Sequence, residues 1–144
     1  MPAGLGVPMG PLIHAAVLWA GSLFATATTA ADVARCESSR RFDDGAAVLQ
    51  VAANRARRRG SSLIEELTRP GQFARGCPPA PRTWSPRHLV LGFQAALGRL
   101  DAPAWATRAV FYCSGRDRPA CVARGSEPVG RIVHEFWGPA RRRR

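Results

Sequence analysis

The sequence contains no lysine, so its formal charge of +11 at pH 7, from 21 basic and 10 acidic side chains, is carried by arginine alone. Such a charge favours a polyanionic partner, which could be nucleic acid, an acidic membrane or an anionic cell-wall polymer. Internal repeats are also lacking, which argues against a solenoid. A chain of 144 residues, 46% of them hydrophobic, therefore predicts one domain with a modest core.

Charged side chains are missing from the first thirty residues. Residues 12–27 are apolar or small, and Ala25-Thr26-Ala27 resembles the pattern that precedes a signal-peptidase cut. We predict that residues 1–30 are an export signal. An uncleaved membrane anchor is the alternative, and a buried first helix of the domain is a third interpretation. Residues 31–138 are then the folded domain, residues 139–144 a basic tail, and the protein secreted or periplasmic.

The cysteines show no CxxC spacing, which argues against a zinc site or a redox motif. An even number of cysteines favours two disulfides and agrees with export, whereas free thiols would indicate a cytosolic protein. Three pairings are possible. We favour Cys113 with Cys121, which closes a short loop, and this leaves Cys36 with Cys77. No metal and no cofactor is predicted.

Helical patterns occur in four places. Residues 46–58 have apolar side chains at helical spacing, with Asp43 and Asp44 as predicted caps. Ser62 and Glu65 have the capping-box arrangement of a following helix. The predicted helices are residues 31–35, 46–58, 63–68 and 88–100.

Strand patterns occur only towards the C-terminus. Residues 109–112 have the composition of a short strand, and residues 130–137 that of its partner. Residues 74–87 contain four prolines and a glycine and are predicted to be a loop. The sequence therefore predicts an α+β domain, mainly helical with a small β-hairpin. Residues 141–144 are predicted to be a disordered tail.

The segment Arg35-Cys36-Glu37-Ser38-Ser39-Arg40-Arg41-Phe42 carries the most informative carboxylate. After it come Asn54-Arg55, Gln72-Phe73, Phe111-Tyr112 and His134-Glu135-Phe136. This order resembles the SleB-type cell-wall hydrolases, in which a Glu-rich turn precedes a helix ending in Asn-Arg, a Gln-Phe segment, an aromatic strand and a late His-x-Phe. The resemblance spans roughly residues 31–138 and implies a lysozyme-like fold.

The turn around Glu37 is also similar to the catalytic turn of the lysozyme-like resuscitation-promoting factors and of the soluble lytic transglycosylases. Both resemblances imply that Glu37 is the acid that cleaves between N-acetylmuramic acid and N-acetylglucosamine in peptidoglycan. With a single carboxylate, the 6-hydroxyl of the muramic sugar would attack internally, which is lytic transglycosylation. If Asp43 or Asp44 lies across the cleft with room for a water, inverting hydrolysis is the alternative.

Arg41 stands where the SleB family usually carries a second Glu. We predict that Arg40 and Arg41 bind a peptide-stem carboxylate instead. By resemblance, Gln72 would bind an N-acetyl group, Phe73 and Tyr112 would stack on sugar rings, and His134 would orient Glu37 or bind substrate. Phe73 is also a candidate for the core, and the tryptophans at 84, 105 and 137 are candidates for either role.

The predicted partners are peptidoglycan glycan strands and an anionic cell-wall polymer, bound by a monomer or by part of a larger cell-wall or phage-like assembly. Two other functions stay open. Arg41 at the second acid position would fit an inactive wall-binding protein. The arginines at 57–59 and 141–144 would fit a basic nucleic-acid-binding module, although no recognised nucleic-acid motif is present and no nucleic acid is expected.

Overall fold

A computed structural model describes residues 9–38, 40–79, 84–114 and 126–140. The helices are α1 (Met9–Glu37), α2 (Phe42–Arg59), α3 (Leu63–Thr68), α4 (Pro86–Ala96) and a 3₁₀ helix at Ala104–Arg108. The strands are β1 (Phe111–Cys113), β2 (Ser126–Arg131) and β3 (Glu135–Pro139), which form one antiparallel sheet in the order β1-β3-β2. The predicted α+β class, mainly helical with a small sheet, is confirmed. The predicted tail, residues 141–144, lies outside the described residues.

Helix α1 is much longer than the helix predicted at residues 31–35. It has 29 residues and runs without a break across residue 30, the predicted end of the leader. Alanine has the highest helix propensity, and the alanine-rich segment gains further stability because its last turns pack into the core. The buried residues of this part are Ala27, Ala30, Ala31, Val33 and Ala34.

Helices α1 and α4 approach closely at Gly92. A Cβ added there would lie 2.1 Å from the carbonyl oxygen of Ala27 and 3.2 Å from the Cβ of Ala31. Only glycine fits this contact. Helix α4 begins at Pro86 and ends at Ala96, earlier than predicted, because Gly98 adopts a φ of 68° that favours glycine and ends helices.

Helix α2 begins at Phe42, four residues earlier than predicted. The prediction that Asp43 and Asp44 cap the helix is wrong, because both lie in its first turn, where their negative charges interact favourably with the helix dipole. Arg41 is the N-cap residue, and its side chain makes no capping hydrogen bond to the helix. Gly60, with a φ of 65°, ends the helix as predicted. The capping box of Ser62 and Glu65 at the start of α3 is confirmed.

The single strand predicted at residues 130–137 is wrong. These residues belong to β2 and β3, with a turn at 132–134 that is closed by the Ile132 N–H donating to the His134 carbonyl at 3.1 Å. Strand β3 lies between the other two strands and pairs Tyr112 with Phe136. The β-branched residues Ile132 and Val133 have a high strand propensity, which hid the turn.

The core lies between α2, the end of α1 and the inner face of the sheet. Phe136 is fully buried and packs on Trp105, with ring centroids 5.1 Å apart. The Trp105 ring occupies the space beside Gly130, where a Cβ would lie 2.2 Å from it. Trp137 is also buried, so these two tryptophans serve packing, while Trp84 is half-buried.

Candidate active site

Glu37 is the last residue of α1, and its side chain is half-buried. The Ala74 N–H donates to Glu37 Oε1 at 2.6 Å, which fixes the orientation of the carboxylate. The predicted disulfide between Cys36 and Cys77 is present, with the two Cα atoms 5.6 Å apart. It holds the loop that carries Ala74 against the end of α1. Cys113 is also disulfide-bonded, whereas its predicted partner Cys121 lies outside the described residues.

Two further contacts join the same loop to α1. The Arg35 guanidinium donates to the carbonyls of Cys77 at 2.9 Å and Pro79 at 3.0 Å. The Gly76 N–H donates to Asp32 Oδ2 at 2.6 Å, and Arg35 also pairs with Asp32 at 2.9 Å. The loop beside Glu37 is therefore anchored by side chains from the last two turns of the helix.

Asp44 is the buried polar centre of the site, with no exposed surface. Its Oδ1 accepts the backbone N–H groups of Val133 at 2.9 Å and His134 at 3.0 Å. Its Oδ2 accepts from the Ser38 hydroxyl and from His134 Nδ1. Burial alone would raise the pKa of Asp44, but the hydrogen bonds from His134 and Ser38 outweigh it and lower the pKa below its usual value.

His134 is oriented by Asp44, with 2.7 Å between its Nδ1 and the Asp44 Oδ2. This hydrogen bond raises the pKa of His134, burial opposes the rise, and the charges of Asp44 and Glu37 add to it. Because Nδ1 is occupied, Nε2 is the nitrogen left for a substrate. The imidazole ring meets the Tyr112 ring edge-on, with centroids 5.2 Å apart.

Tyr112 lies on β1, and its hydroxyl is near enough to the Glu37 carboxylate for the two groups to interact electrostatically. Burial of the ring and the nearby Glu37 carboxylate both raise the pKa of Tyr112 far above its usual value. Three of the residues predicted from the sequence, Glu37, Tyr112 and His134, are thus brought together. They come from the end of a helix, a strand and a turn that are far apart in the sequence.

Gln72 and Phe73 are not exposed side chains that are free to bind a sugar. Gln72 Oε1 accepts a hydrogen bond from Arg55 at 3.0 Å. Phe73 is only 8% exposed and stacks on Tyr112, with centroids 6.1 Å apart, so it packs in the core. The Phe73 ring therefore supports one face of the Tyr112 ring.

The Asn-Arg motif at the end of α2 has a structural role. Asn54 Nδ2 donates to the carbonyls of Ala106 at 2.9 Å and Ala109 at 2.7 Å. Arg55 Nε donates to the Val110 carbonyl at 2.7 Å. The backbone that Asn54 holds is the segment that leads into β1 and Tyr112.

Arg41 and Asp43 form an exposed ion pair with each other. Arg41 donates to both Asp43 carboxylate oxygens, at 3.1 and 2.7 Å, and the two side chains are 56% and 49% exposed. The hydrogen bond from Arg41 lowers the pKa of Asp43 despite the small effect of burial. Neither Asp43 nor Asp44 is therefore a free second acid.

The support of His134 by Asp44 and Ser38 was not predicted. A helical-wheel argument on α2 would have indicated part of it, because Asp44 lies four and seven residues before Val48 and Val51, on the buried face. Ser38 carries no such signal. Among the described residues no group of three His, Cys, Asp or Glu side chains could hold a metal ion.

A cavity of about 460 Å³ lies at the C-terminal end of α2, apart from Glu37. Arg55, Arg58 and Arg59 line it together with Phe111. Phe111 and Tyr112 are neighbours on a strand and point to opposite faces of the sheet. Arg55 lies between the two regions, because its guanidinium also lies over the Phe73 ring, with 5.5 Å between Cζ and the ring centroid.

No protein-family model, no curated protein and no solved structure matches this chain. The resemblance to the SleB-type hydrolases remains a prediction from short motifs.

Proposed function

We propose that this chain is a lysozyme-like enzyme that cleaves peptidoglycan between N-acetylmuramic acid and N-acetylglucosamine. The observation that carries the proposal is the half-buried Glu37 carboxylate, held by the Ala74 N–H and next to Tyr112 and the Asp44–His134 pair. The position of the acid at the end of a helix and beside a small antiparallel sheet supports a lysozyme-like arrangement.

In the proposed first step, protonated Glu37 transfers its proton to the glycosidic oxygen. The bond between that oxygen and the anomeric carbon of the muramic sugar breaks, and the carbon gains oxocarbenium character. The contact with the Ala74 N–H keeps the carboxyl group in one orientation during the transfer. A general acid needs such positioning before it needs a particular pKa.

The environment of Asp43 and Asp44 supports transglycosylation as the second step. Asp44 is fully buried and accepts four hydrogen bonds, and Asp43 is paired with Arg41, so neither is placed to activate a water. The 6-hydroxyl of the muramic sugar attacks the anomeric carbon and gives its proton to the Glu37 carboxylate. The product is a 1,6-anhydro sugar, and Glu37 returns to its protonated form.

His134 Nε2 is proposed to bind the substrate, and Tyr112 to position Glu37 through its hydroxyl. Gln72 is proposed to act on the N-acetyl group only when it leaves Arg55, and Arg41 on a stem carboxylate only when it leaves Asp43. The arginine-lined cavity supports an anionic wall polymer as a further partner. Export is part of the proposal, because the disulfide next to Glu37 belongs to an oxidising compartment.

The test is the release of soluble fragments from purified peptidoglycan by the wild-type chain, Glu37→Gln and Glu65→Gln. Glu65 is the matched control because it belongs to the capping box of α3, where glutamine is also accepted. We expect release by the wild type and the control and none by Glu37→Gln. Equal release by all three would rule out Glu37 as the acid. Peptidoglycan binding without release by any of them would identify an inactive wall-binding protein.

A further inference from the structure

The N-terminal half of α1 presents an apolar surface to solvent. Its large side chains are 57–65% exposed, and the helix carries no charged residue from Met9 to Ala31. Within the described residues, this is the one helix long and apolar enough to cross a membrane. The exposed side chains are Ile13, Val17, Leu18, Trp19 and Phe24.

The threonine hydroxyl groups of this region are satisfied inside the helix. Thr26 donates to the Ser22 carbonyl at 2.9 Å, Thr28 to the Phe24 carbonyl at 3.0 Å and Thr29 to the Ala25 carbonyl at 2.8 Å. A helix in hydrocarbon must satisfy its polar groups internally. These bonds let the three threonines enter an apolar phase with their hydroxyl donors paired.

From Ala27 onward the same helix belongs to the core of the domain, and the exposed Phe24 lies at the boundary. Phe24 packs on Phe93 with ring centroids 6.5 Å apart, and Ala27 lies against Gly92. A cut after Ala27 would remove both contacts and expose the glycine face of α4. The helix that would be discarded as a signal is therefore part of the folded domain.

We propose that α1 is an uncleaved membrane anchor that continues as one rigid helix into the domain. From Met9 to Thr26 the helix rises roughly 27 Å, close to the hydrocarbon thickness of about 30 Å. Glu37 then lies roughly 20 Å along the axis from Phe24. The bilayer is therefore a partner beyond the proposed reaction, and the rigid helix sets the distance between the membrane and the site.

The end of α4 fits the same placement. Phe93 faces Phe24, and Leu97, one turn further along α4, shares the face of Phe93 and is 52% exposed. Arg99 follows and is exposed, so its charged end can reach lipid phosphates while its stem stays at the apolar surface. The Cys36–Cys77 disulfide, just past the span, places the domain on the oxidising side of the membrane.

The experiment expresses the full chain in a bacterium that exports it, and follows the chain through membrane isolation and alkaline carbonate extraction. We expect a carbonate-resistant fraction that mild detergent dissolves, with a mass that still includes residues 1–27, and a domain that protease reaches from the outer side. A soluble chain that begins near residue 28 would overturn the proposal. So would a full-length chain that carbonate releases, or a domain that protease reaches only from the cytoplasm.

A matched pair of variants distinguishes insertion of α1 into the membrane from a general effect of exposed apolar side chains. Leu18→Arg with Trp19→Arg should abolish the carbonate-resistant fraction, because arginine is strongly disfavoured at the centre of a span. Val90→Arg changes a residue of α4 that is 55% exposed and should leave the fraction unchanged. Retention of the double variant in the membrane would contradict the proposal. Glu37→Gln should be retained like the wild type, so this result does not depend on the proposed reaction.

Discussion

Asp44 Oδ2 and His134 Nδ1 lie 2.7 Å apart, although 90 positions separate the two residues in the sequence. The contact joins the first turn of α2 to the turn between β2 and β3. Through the Ser38 hydroxyl, Asp44 also reaches the residue that follows Glu37. One buried carboxylate therefore connects the helix end, the sheet and the imidazole around the proposed acid.

Replacement of Asp44 by asparagine should lower the free energy of unfolding by roughly 2–3 kcal/mol, because a buried charged partner of His134 is lost. Peptidoglycan release should fall as well, since the imidazole loses its fixed orientation. Urea denaturation measures the first effect and product release the second. The control, Asp43→Asn, removes an exposed ion pair and one charge from the first turn of α2 and should cost about 1 kcal/mol or less. Equal effects of the two variants would contradict the central position of Asp44.

The Asp44–His134 pair should make stability depend on pH within a defined window. The raised pKa of His134 contributes stability that is complete below about 6.5 and is lost as pH rises through the folded-state value. The lowered pKa of Asp44 contributes stability that is present above about 3.9 and is lost as pH falls through its folded-state value. The pair therefore stabilises the fold most between about pH 4 and 6.5.

The measurement is the difference in unfolding free energy between the wild type and His134→Gln, at pH 5 and at pH 8. We expect a larger difference at pH 5. The comparison with a variant is needed because burial lowers the pKa of His88, which opposes the trend by destabilising the fold in acid. A difference that does not change with pH would show that the imidazole carries no extra proton in the folded state.

Tyr112 is the single tyrosine of the chain, so tyrosinate absorbance reports on it alone. Its raised pKa predicts that the Tyr112 hydroxyl of the folded protein ionises at a pH well above the usual value of about 10. In Glu37→Gln the midpoint should fall, because a negative charge beside the hydroxyl is removed while burial is unchanged. A folded wild type that titrates near pH 10 would exclude the contact between Tyr112 and Glu37.

The disulfide should stabilise both the fold and the site. It closes a loop with a sequence separation of 41, for which the chain-entropy relation gives about 4 kcal/mol. Cys36→Ser with Cys77→Ser should lose about that much unfolding free energy and should also lose product release, because Ala74 is no longer held on Glu37. Full activity in a destabilised variant would show that the disulfide is not needed to hold Ala74 on Glu37.

Local sequence patterns predicted the features that depend on neighbouring residues alone. The capping box at Ser62, the helix end at Gly60 and the α+β class follow from propensity and spacing. The turn inside residues 130–137 escaped because its β-branched residues resemble a strand. The length of α1 escaped because the same apolar residues suit a leader, an anchor and a core helix.

The sequence predicted several residues of the candidate site, but not the contacts that join them. Glu37, Tyr112 and His134 were selected by residue type and order, and they lie together. The roles of Asp44 as a buried acceptor and of Arg55 as the partner of Gln72 depend on contacts between distant segments. Such contacts are set by tertiary packing, which periodicity in a single sequence does not encode.

The central claim is that Glu37 acts alone and that the muramic 6-hydroxyl, not water, attacks the anomeric carbon. The most direct test digests peptidoglycan in water labelled with heavy oxygen and determines the released muropeptides by mass spectrometry. We predict 1,6-anhydro ends without the label from the wild type, and no products from Glu37→Gln. Labelled reducing ends would show hydrolysis and would contradict the single-acid mechanism.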